Sequence, residues 1–248
     1  MDQVDSDTPA GAGRRRFATW LVVGLVIAAS LALVIAVLAP GLIRDRGASD
    51  PTGAAESTPT PSPSPPPPPP PVRLVAVGDS ITVAGGDIQA GFFTDLSWVR
   101  YAVGEPVVPA GGWAVSGATT AQMAAGFVPP TGEPYVLVIF GGTNDVSLDL
   151  PFAKSAPNLV AIAERAQDAQ RVIVTAIPPL TGREAQAAQY NADLAALAAQ
   201  QGWTFVDPMA PVSIDGRWVD GMTHDGIHPS AAGAQLIGTG IRAALLTP

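Results

Sequence analysis

Seven consecutive prolines, Pro65 to Pro71, divide the 248-residue chain into two parts that have to be considered separately. Proline has no backbone N–H and fixes φ, so this run can enter neither the interior of a helix nor that of a sheet. More prolines, serines and threonines precede it, and a segment of this composition prefers the extended polyproline II conformation. We therefore predict a semi-rigid linker over residues 40–71 and a folded domain over residues 72–248.

An uncharged segment of 23 residues, Phe17 to Ala39, lies before the linker and directly follows the arginines at 14–16. At about 1.5 Å per residue it forms a helix of about 34 Å, which is long enough to cross a hydrocarbon core of about 30 Å. We predict a cytoplasmic tail over residues 1–16, a single transmembrane helix over residues 17–39 and a domain outside the cell membrane. The alternative is a signal peptide cut after residues 37–39, which would release a secreted protein; Pro40 disfavours that cleavage.

The C-terminal domain is acidic and contains no cysteine. Residues 72–248 carry 8 Lys or Arg against 15 Asp or Glu, and the whole chain has a net charge of −8. This balance argues against a nucleic-acid partner, and the absence of cysteine excludes disulfides and cysteine-ligated zinc. A domain of this length buries enough surface to fold without disulfides or a structural metal. The sequence does not determine its oligomeric state.

Short apolar runs recur along the domain, and most lack the polar–apolar alternation of a half-exposed strand. Such runs are typical of parallel strands covered on both faces. Helical patterns lie between them: an apolar stripe from Leu159 to Ala166, a capping-box signature at Thr181 and Glu184, and a last helix over residues 230–246. We predict an α/β fold with three layers, α/β/α, around a central, mainly parallel five-stranded sheet. The predicted strands are residues 72–77, 106–108, 135–140, 171–176 and 203–206.

Polar clusters follow the predicted strands, at the edge of the sheet where ligands bind in folds of this class. Residues 78–80 follow the first strand, 116–117 the second and 141–145 the third, while residues 225–228 precede the last helix. We expect these four loops to converge on one edge of the sheet.

Ser80, His228 and Asp225 provide the groups that acyl transfer through a serine requires. A serine hydroxyl is too weak an acid to attack an ester unaided, so it needs an imidazole to accept its proton and a carboxylate to orient that imidazole. Asp225 lies three residues before His228, and the glycine between them permits the tight turn that would bring its carboxylate to Nδ1. The candidate donors to the developing oxyanion are the N–H groups of Ser80 and Gly117 and the side-chain amide of Asn144.

Two histidines four residues apart, His224 and His228, also match the spacing of helical metal sites. Gly226 and Pro229 argue against a helix in this segment, and no third ligand is evident. We therefore predict neither a metal nor a cofactor, and we expect His224 in a loop near the rim of the site.

Trp113 and Trp218 are candidates for substrate contact, because both fall in predicted loops near the site. Loops 83–97, 110–115 and 208–222 are expected to shape the pocket. Their conformations cannot be derived from the sequence, so the acyl chain and the alcohol part of a substrate stay open.

In their order along the chain, the polar clusters resemble the four signature blocks of the SGNH, or GDSL-type, hydrolases. The blocks are Gly78-Asp79-Ser80-Ile81, Ser116-Gly117-Ala118-Thr119, Gly142-Thr143-Asn144-Asp145 and Asp225-Gly226-Ile227-His228-Pro229. The resemblance implies a flavodoxin-like fold and ester hydrolysis without a metal, with Ser80 as nucleophile, His228 as base and Asp225 as its partner. It also implies an oxyanion hole formed by Ser80, Gly117 and Asn144.

The sequence therefore predicts a membrane-tethered serine esterase that removes acyl groups, for example acetyl, from a lipid, an envelope glycan or a small ester. Two alternatives stay open at this point. The same acyl-enzyme can pass its acyl group to an acceptor other than water, which would make the protein an acyltransferase. A catalytically silent domain that binds envelope polysaccharide would keep the fold, although every predicted catalytic position holds a chemically competent residue.

Overall fold

A computed structural model describes residues 70–247 and contains the predicted α/β fold. Five parallel strands form its central sheet, and a separate antiparallel pair of short strands lies outside it. The elements are β1 (Val72–Gly78), α1 (Ser80–Val83), α2 (Val99–Ala102), β2 (Val107–Ala114), α3 (Thr120–Gly126), β3 (Tyr135–Phe140), α4 (Thr143–Ser147), α5 (Phe152–Arg165), β4 (Ala169–Thr175), α6 (Glu184–Gln201), β5 (Thr204–Val206), β6 (Ser213–Ile214), β7 (Arg217–Trp218) and α7 (Ala231–Leu246).

The strand order in the sheet is β2-β1-β3-β4-β5, so β3 lies at its centre and all six of its residues are buried. Alternate residues of this strand enter separate apolar clusters on the two faces. Leu137 packs with Met123 of α3 and Leu159 of α5 on one face, and Val138 packs with Ile237 of α7 on the other. The prediction of three layers around a five-stranded parallel sheet is therefore confirmed.

Strand β2 is longer than predicted, which corrects the predicted loop over residues 110–115. Its pairing with β1 shifts between Leu74 and Ala76. Gly112 lies at this irregularity with φ of 144°, and a Cβ added to it would lie 1.9 Å from the carbonyl oxygen of Ala76. Glycine thus allows the close backbone approach of a bulge, after which the strand continues.

The predicted starts of the last helix, at residue 230, and of the helix after Thr181 differ in outcome. Helix α7 begins at Ala231, and the Ser230 side chain accepts a hydrogen bond from the Gly233 N–H at 3.2 Å, as expected of an N-cap. Helix α6 begins only at Glu184, with Arg183 as its N-cap residue, so the capping role predicted for Thr181 is wrong. The physical reason is the residue that follows Thr181, since Gly182 has φ of 81° and cannot lie in a right-handed helix.

Among residues 70–247, no helix combines the length and the apolar composition that a membrane span requires. The predicted tail over residues 1–16, the transmembrane helix over residues 17–39 and nearly all of the linker over residues 40–71 lie outside the described residues. These assignments stay predictions.

Packing of α7 on the sheet can be tested with two neighbouring residues. Ile237 is 0% exposed, whereas Leu236 is 38% exposed. We expect Ile237→Ala to lower the free energy of unfolding by about 2–5 kcal/mol, because it removes buried methyl groups and leaves a cavity. Leu236→Ala, the matched control, should lower it by about 1 kcal/mol or less. Urea unfolding of the parent and both variants measures the difference, and equal losses would contradict the packing of α7.

Candidate active site

Ser80 is the first residue of α1, which follows β1 after a single residue. That residue, Asp79, is the N-cap of the helix, and its Oδ1 accepts a hydrogen bond from the Ile81 N–H at 3.0 Å. Helix α1 ends after one turn, because Ala84 adopts the left-handed conformation with φ of 41°. This short turn presents Ser80 at the carboxyl edge of the sheet.

Ser80, His228 and Asp225 form a continuous line of hydrogen-bonding groups. Ser80 Oγ lies 2.8 Å from His228 Nε2, although 148 residues separate the two along the chain. On the other side of the ring, His228 Nδ1 lies 2.6 Å from Asp225 Oδ2. Ser80 and His228 are half-buried and Asp225 is exposed. The arrangement places a carboxylate, an imidazole and a hydroxyl in the order that proton transfer from the hydroxyl requires.

The loop that carries Asp225 and His228 is held by its own hydrogen bonds. Asp225 Oδ1 accepts from the N–H groups of Ile227 at 2.9 Å and His228 at 2.7 Å, so the carboxylate closes a tight turn. Thr223 Oγ1 donates to the His228 carbonyl at 2.7 Å and accepts from the Gly226 N–H at 2.9 Å. Gly226 has φ of 84°, the left-handed conformation that this turn needs. Both oxygens of Asp225 are therefore engaged, one by the backbone and one by the imidazole.

Trp218 supports this loop and Trp113 packs, partly buried, against a core cluster, so neither of the two predicted substrate contacts lines the cleft beside Ser80. The Trp218 indole N–H donates to the Gly226 carbonyl at 3.1 Å, and Trp218 itself belongs to β7. Trp113 belongs to β2 and packs so closely on α3 that a Cβ on Gly126 would lie 2.4 Å from its ring. Both residues were assigned to loops because the end of β2 and the β6–β7 pair have no clear signal in the sequence.

The predicted oxyanion donors come from three different loops. Within residues 70–247, neither the Ser80 N–H nor the Gly117 N–H donates a hydrogen bond to a protein acceptor. Gly117 has φ of 78° and lies in the exposed turn after β2. Asn144, in α4 directly after β3, donates from Nδ2 to the Ala118 carbonyl at 3.0 Å and lies 3.4 Å from Asp79 Oδ2. Asn144 therefore connects the loops after β1, β2 and β3.

Two carboxylates beside these residues are fully buried, at 0% exposure for Asp79 and 1% for Asp145. Asp145 Oδ1 accepts from the hydroxyls of Thr120 at 2.6 Å and Ser155 at 2.7 Å, and its Oδ2 accepts from the Thr120 N–H at 2.9 Å. Asp145 thus ties α4 to the starts of α3 and α5. Asp79, by contrast, bonds the nearby Ile81 N–H within its own helix start.

The pKa values of Asp79 and Asp225 shift in opposite directions. Burial raises the pKa of Asp79 to about 7, although the Ile81 N–H and the nearby His228 lower it. Partial burial also acts to raise the pKa of Asp225, but hydrogen bonds from the backbone N–H and ring of His228 and from the Ile227 N–H outweigh it and hold that pKa at about 2. Asp225 is therefore a carboxylate at neutral pH, and Asp79 is poised to hold a proton.

A cleft of about 290 Å³ opens at this site. Ala84 and Leu96, from the predicted pocket loop over residues 83–97, contribute to its walls, whereas no residue of the predicted loops 110–115 and 208–222 does. Another cavity, of about 400 Å³, is larger but lies at the amino ends of the strands, away from Ser80. We assign the site to the smaller cleft because it alone contains the reactive groups. The residues that line it are Ser80, Ile81, Ala84, Leu96, Ser116, His224, Asp225, His228 and Pro229.

His224 lies directly beside this hydrogen-bonded line. Its ring stacks on the ring of His228, with centroids 5.7 Å apart and planes inclined by 15°, and its Nε2 lies 3.6 Å from Asp225 Oδ2. One possible ligand atom from each of the three residues lies within 4.8 Å of the others, so together they could hold a metal ion. The spacing of the two histidines indicates a metal site only on a helix, whereas here a tight turn brings the two imidazoles and a third donor together.

Comparison with known proteins identifies the family. Residues 76–236 match the GDSL-like Lipase/Acylhydrolase family. No curated protein matches the chain. Three solved structures illustrate the shared fold. A GDSL-like lipase from Bacteroides thetaiotaomicron is 23% identical over 70% of this chain and 87% of its own, with a TM-score of 0.52. A catalytic mutant of Axe2, an acetylxylan esterase from Geobacillus stearothermophilus, is 17% identical over 71% and 95%, with a TM-score of 0.57.

The third structure is a carbohydrate esterase family 3 protein from Talaromyces cellulolyticus, 21% identical over 71% of this chain and 96% of its own, with a TM-score of 0.52. At these identities the three structures establish the fold alone. The family match is more informative, because it covers well over half of the chain and includes every residue of the hydrogen-bonded line. The chain therefore belongs to the GDSL-like lipase/acylhydrolase family and is a hydrolase acting on esters.

Proposed function

We propose that this protein is a serine esterase whose nucleophile, base and orienting carboxylate are Ser80, His228 and Asp225. The observation that carries the proposal is the unbroken contact from carboxylate to hydroxyl, with 2.6 Å between Asp225 and His228 and 2.8 Å between His228 and Ser80. A domain that only binds polysaccharide has no need of this alignment.

In the first half of the reaction, Ser80 Oγ attacks the ester carbonyl carbon while His228 Nε2 accepts the hydroxyl proton. Asp225 keeps the ring oriented through Nδ1 and stabilises the imidazolium, since its own low pKa leaves it charged. The alcohol then leaves with the proton from Nε2, and an acyl-serine remains. In the second half, water attacks the acyl-serine, His228 accepts a proton from that water, and the carboxylic acid departs as Ser80 recovers its proton.

Negative charge that develops on the carbonyl oxygen needs donors fixed in advance. We assign this role to the N–H groups of Ser80 and Gly117 and to the Asn144 side-chain amide. The Ser80 and Gly117 amides make no competing hydrogen bond to the protein within residues 70–247. Asn144 is held in place through the Ala118 carbonyl at 3.0 Å, and its second amide hydrogen makes only a long hydrogen bond of 3.4 Å to Asp79 Oδ2, which a substrate oxygen would replace.

The cleft supports a short, uncharged acyl group as the part of the substrate next to Ser80. Its walls are largely apolar, from Ile81, Ala84, Leu96 and Pro229, and Lys and Arg are absent from the part of the chain that lines it. The cleft measures about 290 Å³ and opens to solvent, so the alcohol part of the ester can extend outside. We propose acetyl and other short esters of envelope glycans, lipids or small molecules as the substrate class.

We further propose that residues 17–39 anchor the protein in the cell membrane with the esterase domain outside. The proposal rests on the uncharged length of that segment and on the arginines before it. It would bring the cleft to substrates at the cell surface, at a distance set by the proline-rich linker.

Removing the nucleophile or the base tests the proposed chemistry most directly. Ser80→Ala and His228→Ala should each lower kcat for p-nitrophenyl acetate by about 10⁴-fold or more, because proton transfer and covalent catalysis are lost together. Ser213→Ala, a serine in β6 outside the cleft, serves as the control and should retain the parent rate. Unchanged rates for both site variants would exclude the proposed nucleophile and base.

The oxyanion assignment predicts a smaller effect at Asn144. Asn144→Ala should lower kcat by about 10²–10³-fold with little change in KM, because the amide acts on the transition state. Steady-state kinetics with the same ester measures both constants. An increase in KM with an unchanged kcat would mean that Asn144 binds the ground state and does not stabilise the oxyanion.

The raised pKa of Asp79 predicts a pH-dependent stability. Its pKa rises from 3.8 to about 7 on folding, so between these values the folded state holds a proton that the unfolded state has released. The free energy of unfolding should therefore fall as pH rises through this window. The Asp79→Asn variant has no titratable group at this position. Its free energy of unfolding should therefore fall less between about pH 5 and about pH 8 than that of the parent. Thermal unfolding at the two pH values gives the comparison, and parallel losses would rule out a buried proton on Asp79.

The membrane anchor can be tested on cells. We expect the protein to fractionate with membranes and to keep residues before Pro40, which mass spectrometry of the extracted protein detects. A mature N-terminus at Pro40 or later would instead indicate a cleaved signal peptide.

A further inference from the structure

His224 has no part in the proposed ester hydrolysis, yet it contacts two of the groups that do. Its Nε2 lies 3.6 Å from Asp225 Oδ2, on the same oxygen that receives His228 Nδ1 at 2.6 Å. Two imidazole nitrogens thus converge on one carboxylate oxygen. One possible ligand atom from each of the three residues lies within 4.8 Å of the others. Two histidines and a carboxylate form a common ligand set for Zn²⁺ in proteins.

One of the three separations between these atoms already fits a tetrahedral site, and the other two require small shifts. Zinc bonds of about 2.0–2.1 Å at the tetrahedral angle separate two ligand atoms by about 3.4 Å. The separation of 3.6 Å between His224 Nε2 and Asp225 Oδ2 already fits, and the 2.6 Å between His228 Nδ1 and Asp225 Oδ2 has to lengthen by less than an ångström. The ligand atoms of the two histidines, within 4.8 Å of each other, have to come closer together. The side chains of the three residues are 51%, 41% and 33% exposed, so a hydrated ion can reach them and small adjustments are possible.

We propose that His224, Asp225 and His228 form a binding site for a divalent transition-metal ion such as Zn²⁺, and that the bound ion reversibly switches the esterase off. A water molecule would complete the coordination. The inhibitory part of this inference rests on the proposed function, because it requires His228 to be the base.

Inhibition follows from which ring nitrogen carries the proton. In the active arrangement Nδ1 holds the single proton of the neutral ring and donates it to Asp225, while Nε2 is free to accept the proton of Ser80. A metal ion on Nδ1 displaces that proton, and a ring that stays neutral must then carry its proton on Nε2. Nε2 becomes a donor to Ser80 Oγ and can no longer accept its proton. The ion also takes Asp225 away from its orienting role.

The test uses the purified full-length chain without a polyhistidine tag, with ZnCl₂ as the probe. Calorimetry on Ser80→Ala measures binding independently of turnover, since Ser80 is not a proposed ligand. We expect about one Zn²⁺ per chain, and about 10- to 100-fold weaker binding or more when His224→Phe is added. Phenylalanine keeps an aromatic ring beside His228 and removes the nitrogen, and His224→Ala provides a second variant in which both are absent.

Zinc inhibition of p-nitrophenyl acetate hydrolysis gives the second measurement, with each variant compared with its own metal-free rate. The parent should be inhibited at zinc concentrations at least about tenfold lower than either His224 variant, and EDTA should restore its activity. Equal inhibition of the parent and both variants, or no heat of binding with Ser80→Ala, would overturn the inference. If Ser80→Ala and His228→Ala kept esterase activity, the proposed function would fail while the calorimetry would still decide whether the ion site exists.

Discussion

The register of the central sheet is the constraint on which the site depends. Gly78 at the end of β1 pairs with Ala114 at the end of β2 and with Phe140 at the end of β3. Because these strands are parallel and end at the same level, the loops that follow them start side by side. Ser80, Gly117 and Asn144 are thereby brought to one edge, although they lie far apart along the chain. The irregularity at Gly112 lets β2 continue to Ala114, where it ends level with β1 and β3.

The fourth loop reaches the same edge in a different way, because it precedes α7 and does not follow a strand of the central sheet. Its position depends on bonds to its backbone, with the Gly226 carbonyl accepting from the Trp218 indole at 3.1 Å and from the Thr181 N–H at 3.0 Å. Ser230 caps α7 and also donates to the Gly221 carbonyl at 2.6 Å, so the helix start and the loop are built as one unit. These contacts hold the imidazole of His228 toward Ser80.

Two carboxyl groups near the same imidazole have different electrostatic properties because their surroundings differ. Asp225 is exposed and receives two backbone N–H groups and the imidazole, and its pKa lies at about 2. Asp79 is completely buried with fewer donors, and burial raises its pKa to about 7. One group therefore serves as a permanent negative charge, whereas the other is a structural cap whose charge depends on pH. Residue type does not predict this difference, since both groups are aspartates.

Local patterns in the sequence determined the elements and the chemical groups of this protein. Apolar runs predicted five parallel strands, Ser230 marked the start of α7, and the order of the polar clusters identified the residues that converge, because all of these depend on neighbours along the chain. Only the tertiary structure decided what depends on distant contacts. It extended β2 through Gly112, packed Trp113 against a core cluster, used Trp218 to support a loop, and linked Asp145 to Thr120 and Ser155. It also fixed the turn that stacks His224 on His228, because contacts from Trp218 and Thr181 hold that turn in place. The pKa of Asp79 likewise depends on burial, which arises only when separate segments pack together.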